Sequence, residues 1–169
     1  GANVLKYSTG YNLTHLMIGS EGTLGVITKI VFRLIPFPQN NIVMLVPFNS
    51  AEKACEAVSA VFREGITPSG REFMERDAID WVRKFETDIQ SEGPDEGQAH
   101  LLIEVDGNDM DALYKDAEKI SEVMMKFEAG EILLADSAAQ KDRRGKMRRK
   151  VDEAVKSNSV YKEEDTVVP

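Results

Sequence analysis

The sequence predicts an α+β fold: a ferredoxin-like antiparallel sheet with helices on one face, preceded by a separate strand-rich segment. Three observations predict it. From residue 42 onward, short β-branched runs alternate with amphipathic helical stretches in the order strand, helix, strand, helix, strand, helix, strand, the pattern of a two-layer α+β unit. Before that series, Pro36-Phe37-Pro38-Gln39-Asn40-Asn41 reads as a linker. Before the linker, Val26, Thr28, Ile30, Phe32 and Leu34 fall on one face of an extended stretch, with Lys29 and Arg33 on the other. The boundary is drawn after residue 38, giving segments 1–38 and 39–169. For the second segment the best arrangement is βαββαβ with one helix inserted after its second strand.

Each element has its own signal. Ile42 to Phe48 is an apolar, β-branched run that stops at a turn signal, so it is the first strand. Asn49 and Ser50 can each cap the helix that follows, and Asn49 with Glu52 has capping-box spacing. Ala51, Ala54, Cys55, Val58, Val61 and Phe62 recur at helical spacing, and Gly65 ends that helix. Residues 70–75 form the second strand. A helix starting near Asp77 puts Ala78, Trp81, Val82 and Phe85 on one face, where Trp81 reads as a core aromatic rather than a stacking platform. Residues 88–98, with Gly93-Pro94 and Gly97, read as a flexible surface loop. Leu101 to Val105 is the third strand and leads into the longest helix, whose Met110, Leu113, Ala117, Ile120, Met124 and Phe127 make one apolar stripe. The intervening Asp106-Gly107-Asn108-Asp109 has close-set oxygens but lacks the closing glutamate of a calcium loop, so it reads as a turn and N-cap. Met124-Met125 reads as core filler, and Glu131 to Ala135 as the fourth strand.

Composition removes several classes of function. A chain of 169 residues with 42% hydrophobic and 30% charged residues has the balance of a soluble globular protein. No apolar run has the length of a spanning helix. The net charge of −8 argues against nucleic acid or an anionic membrane as partner. The single cysteine, Cys55, cannot form an internal disulfide and is expected on the buried face of its helix, in a reducing compartment. His15 and His100 are the two histidines; they give no metal-ligand spacing and no Cys–His pair, and both read as structural. Asn12-Leu13-Thr14 matches a glycosylation sequon without secretory context.

The stretch that speaks about chemistry is Gly19-Ser20-Glu21-Gly22-Thr23-Leu24-Gly25-Val26-Ile27-Thr28. Glycines at every third residue let backbone N–H groups approach a ligand with no Cβ in the way. Ser20 and Thr23 add hydroxyls, and successive amides can form an anion-accepting concavity; the alternative is an ordinary glycine-rich turn. The spacing is neither the Rossmann G-x-G-x-x-G nor a P-loop, and both of those open a helix, whereas a strand pattern follows here.

Gly10-Tyr11-Asn12-Leu13, the glycine stretch and Arg33-Leu34-Ile35-Pro36-Phe37-Pro38 together resemble the FAD-linked oxidases of the vanillyl-alcohol oxidase type, in their glycolate oxidase and D-lactate dehydrogenase branch. The family more often has Asn at the position of Ser8 and Asp at that of Asn12. The resemblance implies that residues 1–38 are the C-terminal end of an FAD-binding domain. Gly19, Ser20, Glu21, Gly22, Thr23, Leu24, Gly25, Val26 and Ile27 would then lie against the flavin, and residues 39–169 would be the first part of the substrate (cap) domain. It also implies that the chain is a piece of a longer protein. The catalytic histidines and any divalent-metal ligands would lie beyond Pro169, so no catalytic residue is expected within the chain and the fragment alone is expected to be inactive.

Residues 143–150, Arg-Arg-Gly-Lys-Met-Arg-Arg-Lys, are strongly basic. A solvated helix face explains most of them, and an anionic small substrate needs one or two, because an arginine fork binds a carboxylate bidentately. The resembled branch has Trp-x-x-Arg here, then a Tyr-Lys pair and an acidic stretch ending in Val-Pro. Arg148, Tyr161-Lys162 and Asp165-Thr166-Val167-Val168-Pro169 match those points, with Gly145 at the tryptophan position and Arg149 as the alternative register. The resemblance implies that Arg148 and Lys162 hold the carboxylate of a 2-hydroxy acid. A cytoplasmic flavin-dependent dehydrogenase or oxidase is therefore expected, at the membrane only through partners, transferring a hydride from the substrate α-carbon to FAD and passing electrons to a protein or quinone. The alternative is an autonomous ferredoxin-like binding or regulatory module, for which residues 40–135 suffice. Residues 1–38, short of partner strands, are expected to leave an apolar edge that is poorly ordered or drives self-association.

Overall fold

The computed structural model describes residues 4, 6–85, 97–135 and 137–164. The chain divides into two units, Gly1–Pro36 and Phe37–Pro169. The second unit is built around β1 (Asn40–Phe48), whose residues from Ile42 to Phe48 are all buried. Side chains alternate across a strand, so Ile42, Met44, Val46 and Phe48 enter one core while Val43 and Leu45 enter another. An apolar run with no polar alternation is the mark of a strand covered on both sides.

Around β1 the order is α2 (Ala51–Arg63), β2 (Gly70–Glu75), α3 (Arg76–Phe85), β3 (Ala99–Gly107), α4 (Met110–Lys126), β4 (Leu133–Ala135) and α5 (Ala138–Asn158). The four strands form one antiparallel sheet in the order β2-β3-β1-β4, so β1 and β3 lie side by side at its centre, as in a ferredoxin-like unit. The α+β class and the antiparallel sheet are as expected. Coverage of the sheet differs: α2 and α4 close one face, and α3 and α5 close the other, where Met74, Ile79, Val82, Leu102, Met147 and Ala154 join Val43 and Leu45. The single-face expectation gave no second partner to Val43, Leu45 and Leu102, which point away from α2 and α4.

Local details sort the capping and burial expectations. Ser50, not Asn49, caps α2, accepting from the Lys53 amide while its hydroxyl donates to Glu52. That hydrogen bond is the main reason the Glu52 carboxyl is held below its ordinary pKa. Gly65, just past α2, adopts φ +80° and donates to Phe62, the left-handed stop expected of it. Cys55 is exposed, contrary to expectation. The buried line of α2 is Ala54, Ala57 and Val61, small residues that bring the helix backbone close to the sheet and leave Cys55 at the flank. Asp109 caps α4 as read, accepting from the amides of Asp111 and Ala112. His100 is buried in β3. Pro47 sits inside the central strand where β4 has ended; the β1–β4 pairing covers Val43 to Leu45, and the Pro47 carbonyl is taken by the Gly130 amide at 2.9 Å, so the missing N–H disrupts no ladder there. The loop read over residues 88–98 lies outside the described residues except for its last two.

Among the described residues of the first unit the one regular element is the short helix α1 (Leu13–Met17), capped by Asn12. The strand expected over Val26–Leu34 is not formed: among the described residues of this unit there is no ladder, and Val26, Val31, Phe32, Leu34 and Ile35 are exposed. The alternating pattern is present, but a lone segment has no neighbour with which to share backbone hydrogen bonds. Among the described residues no helix is long and apolar enough to cross a membrane.

Candidate functional site

The glycine stretch folds as a series of tight turns directly after α1. Gly19 (φ 77°), Glu21 (φ 49°) and Gly22 (φ 75°) take left-handed conformations. A Cβ at Gly19 or Gly22 would meet nothing within 4 Å, so it is the backbone angle rather than crowding that calls for glycine there. Ser20 donates its amide to Met17, and Thr23 donates both its amide (2.9 Å) and its hydroxyl (2.6 Å) to the Ser20 carbonyl. The amides of Glu21, Gly22, Leu24 and Gly25 have no hydrogen-bond partner among the described residues. Residues 21–27 are exposed. This is a self-braced loop whose exposed residues carry amides without a partner among the described residues.

The basic helix α5 starts with a capping box between Ser137 and Gln140. It is anchored near that end by two cations that reach the sheet. Lys141 Nζ donates to the Asn41 carbonyl at 2.6 Å, and the buried Arg144 donates to the carbonyls of Val43 (3.1 Å), Leu133 (2.7 Å) and Leu134 (3.2 Å). Arg144 ties β1, β4 and α5 together. It was not singled out from sequence, although Arg144, Met147, Val151 and Ala154 repeat at three, four and three residues, and Met147 and Ala154 are buried while Val151 packs against the same core. That stripe inside a charged run was the available signal.

One turn after Arg144, Arg148 makes an ion pair across elements, its NH2 group 2.6 Å from Glu72 Oε1 on β2. Arg149 pairs at 3.7 Å with Asp142 of its own helix. Lys162 pairs with its neighbour Glu164 and is largely exposed. Arg148 and Lys162 are thus each engaged with a different carboxylate, and no hydrogen bond or ion pair joins them among the described residues. The acidic Val-Pro end, residues 165–169, lies outside the described residues.

The segment carrying Lys162 is tied back to α5. Tyr161 donates its hydroxyl to Asp152 at 2.6 Å, Lys156 donates to the other oxygen of Asp152 at 2.7 Å, and Lys156 lies 4.7 Å from the centre of the Tyr161 ring. The hydrogen bond to Asp152 pushes the Tyr161 phenol up to about 12. The Lys156 and Tyr161 hydrogen bonds hold the Asp152 carboxyl below its ordinary value, and Asp152 raises Lys156 in return. A shallow cleft of about 170 Å³ between α3 and α5 is lined by Val82, Phe85, Lys150, Glu153, Ala154 and Ser157. It includes neither Arg148 nor Lys162.

Residues 37–169 match the family model described as FAD linked oxidases, C-terminal domain. The whole chain is 37% identical to a D-lactate dehydrogenase of Anaerostipes hadrus, covering 36% of that protein. It is 37% identical over 80% of its length to the glycolate oxidase subunit GlcD of Escherichia coli K12, covering 26% of that protein. It is 33% identical over 95% of its length to a D-lactate dehydrogenase of Archaeoglobus fulgidus, covering 34%. The chain therefore spans about a quarter to a third of the length of these relatives. Among solved structures, an alkyldihydroxyacetonephosphate synthase superposes with a TM-score of 0.57 at 21% identity, over 83% of this chain and 28% of that one, a likeness of fold.

Proposed function

The chain belongs to the FAD linked oxidases, through their C-terminal domain over residues 37–169, and from that premise we propose that it serves a flavin-dependent dehydrogenase or oxidase of small 2-hydroxy acids. The observation that carries the reading is that its 37% identity to a D-lactate dehydrogenase runs over the whole chain, glycine loop and basic helix alike. Residues 1–38 are read as the end of the FAD-binding domain and residues 39–169 as the first part of the substrate domain. The residues fit a flavin in one testable respect: around left-handed Gly19, Glu21 and Gly22, consecutive amides have no hydrogen-bond partner among the described residues, as a loop set against a flat ligand with acceptor atoms along its edge requires. Gly19 to Ile27 would hold it.

FAD, when bound, supplies the acceptor for the hydride leaving the substrate α-carbon. This chain's contribution is binding. Arg148, with donors to spare beyond its bond to Glu72, and Lys162 attract and orient the substrate carboxylate. The proton acceptor for the hydroxyl and any divalent metal are assigned to residues outside this chain. Electrons are passed to a protein or quinone, and the work is placed in the cytoplasm. The test is made on the full gene product. Purified protein is expected to be yellow, and its flavin absorbance to bleach anaerobically with D-lactate or glycolate. A colourless protein, or a flavin that no 2-hydroxy acid reduces, would overturn the reading, and a nucleotide or amino-acid ligand found instead would favour a binding module.

A further inference from the structure

Resting on the substrate-arginine reading above, we propose that Glu72 is a positioning residue for Arg148, holding its guanidinium ready for the carboxylate of the hydroxy acid. Glu72 lies on β2, two residues from the buried Met74 and opposite Leu102 in the ladder. Strand alternation therefore turns it to the face covered by α5. Arg148 follows the buried Met147 and comes one helical turn after Arg144, which is fastened to three backbone carbonyls of the sheet. The ion pair is thus made between two fixed elements, a laddered strand and an anchored helix.

The contact runs from one terminal nitrogen of Arg148, NH2, to one oxygen of Glu72, Oε1. A side-on, bidentate pair would occupy the edge of the guanidinium that a substrate carboxylate needs. As it stands, the other donors of Arg148 have no partner among the described residues, and its side chain is 52% exposed. Glu72 therefore restrains a long, many-rotamer side chain while leaving most of its five donors for a ligand. Fixing such a side chain before binding lowers the ordering cost of binding itself. Arg149, paired within its own helix to a mostly exposed Asp142, has no such support from the sheet.

The test uses the full flavin-loaded gene product and steady-state kinetics with D-lactate and glycolate. Arg148→Ala is expected to raise KM roughly tenfold or more, as loss of a charge-assisted contact does. Glu72→Ala should raise KM about three- to fivefold, the range for half-exposed ion pairs, with kcat altered much less. Glu72→Gln, which keeps an acceptor oxygen, should fall between Glu72→Ala and the parent, and Glu72→Ala should have no further effect on KM in the Arg148→Ala background. If Arg148→Ala leaves KM unchanged, the substrate-arginine reading fails and takes this proposal with it. If Arg148→Ala is impaired but neither Glu72 variant changes KM, the positioning role alone fails. A lowered KM in either Glu72 variant would make Glu72 a competitor for Arg148 and also overturn the proposal, as would a Glu72→Ala effect that persists without Arg148.

Discussion

The two units of the chain solve opposite problems with similar residue types. Unit Phe37–Pro169 spends its apolar residues on two cores, one on each face of β1 and β3, and even its buried arginine is matched to carbonyl oxygens. Unit Gly1–Pro36 carries a comparable apolar alternation over Val26–Ile35, yet those side chains are exposed and their backbone joins no ladder. The difference teaches that a period-two pattern specifies which face a strand would bury, but a strand exists only where a neighbour completes its hydrogen bonds. The largest measurable contrast follows from it. In the 169-residue chain, amides of Leu45, Val46, Leu102 and Ile103 should exchange ~10³-fold or more slowly than those of residues 26–35, since ladder amides open only with substantial unfolding. Strong protection of 26–35 in a monomer would erase the contrast; protection that appears only with increasing concentration would mark self-association.

A smaller effect is expected from Arg144. Replacing it by methionine keeps much of the aliphatic bulk beside Met147 but leaves the carbonyls of Val43, Leu133 and Leu134 without that donor. The expected loss is about 2–4 kcal/mol, lowering the thermal midpoint by roughly 5–15 °C. Two-stage melting would show that the effect stays within the β1–β4–α5 corner, and an unchanged midpoint would mean that the three hydrogen bonds contribute nothing net.

The arginine also marks how far the sequence could be read. The element order, the antiparallel ferredoxin-like sheet, the Asp109 cap and the α4 stripe were all legible, because each rests on local spacing that survives folding. The second helical layer was legible in principle, since Ile42–Phe48 runs apolar without alternation, but the single-face reading treated the run as propensity rather than as burial on two sides. Cys55 was misplaced because helical spacing alone does not separate the centre of an apolar stripe from its flank when the buried line is alanine. Arg144 was hidden among neighbouring cations, and what distinguishes it is a set of carbonyls about a hundred residues and about ten residues away in the chain. For the site, the glycine spacing announced left-handed turns, whereas the partner of Arg148 on β2 is a tertiary fact that no local pattern carries.

The smallest expected effect concerns the segment that bears Lys162. Tyr161 is held to α5 by its hydrogen bond to Asp152, and the same bond raises its phenol to about 12. A folded-state value above the unfolded one means that the unfolded chain loses this proton first. The contribution of the tie is therefore full below pH 10 and is lost as pH rises toward 12. Absorbance titration of the 169-residue chain should show a late phase from the Tyr161 phenol, and Tyr161→Phe should remove it. The phenyl ring of the variant can still accept the Lys156 ammonium, and Asp152 keeps its bond to Lys156, so the helix itself should be undisturbed. What should change is amide exchange over residues 159–164, faster in the variant at neutral pH and equal to the parent once Tyr161 is ionised. If Tyr161→Phe removes no late phase and exchange is unaltered, the tie does not order the Lys162 segment, and the substrate itself must do so on binding.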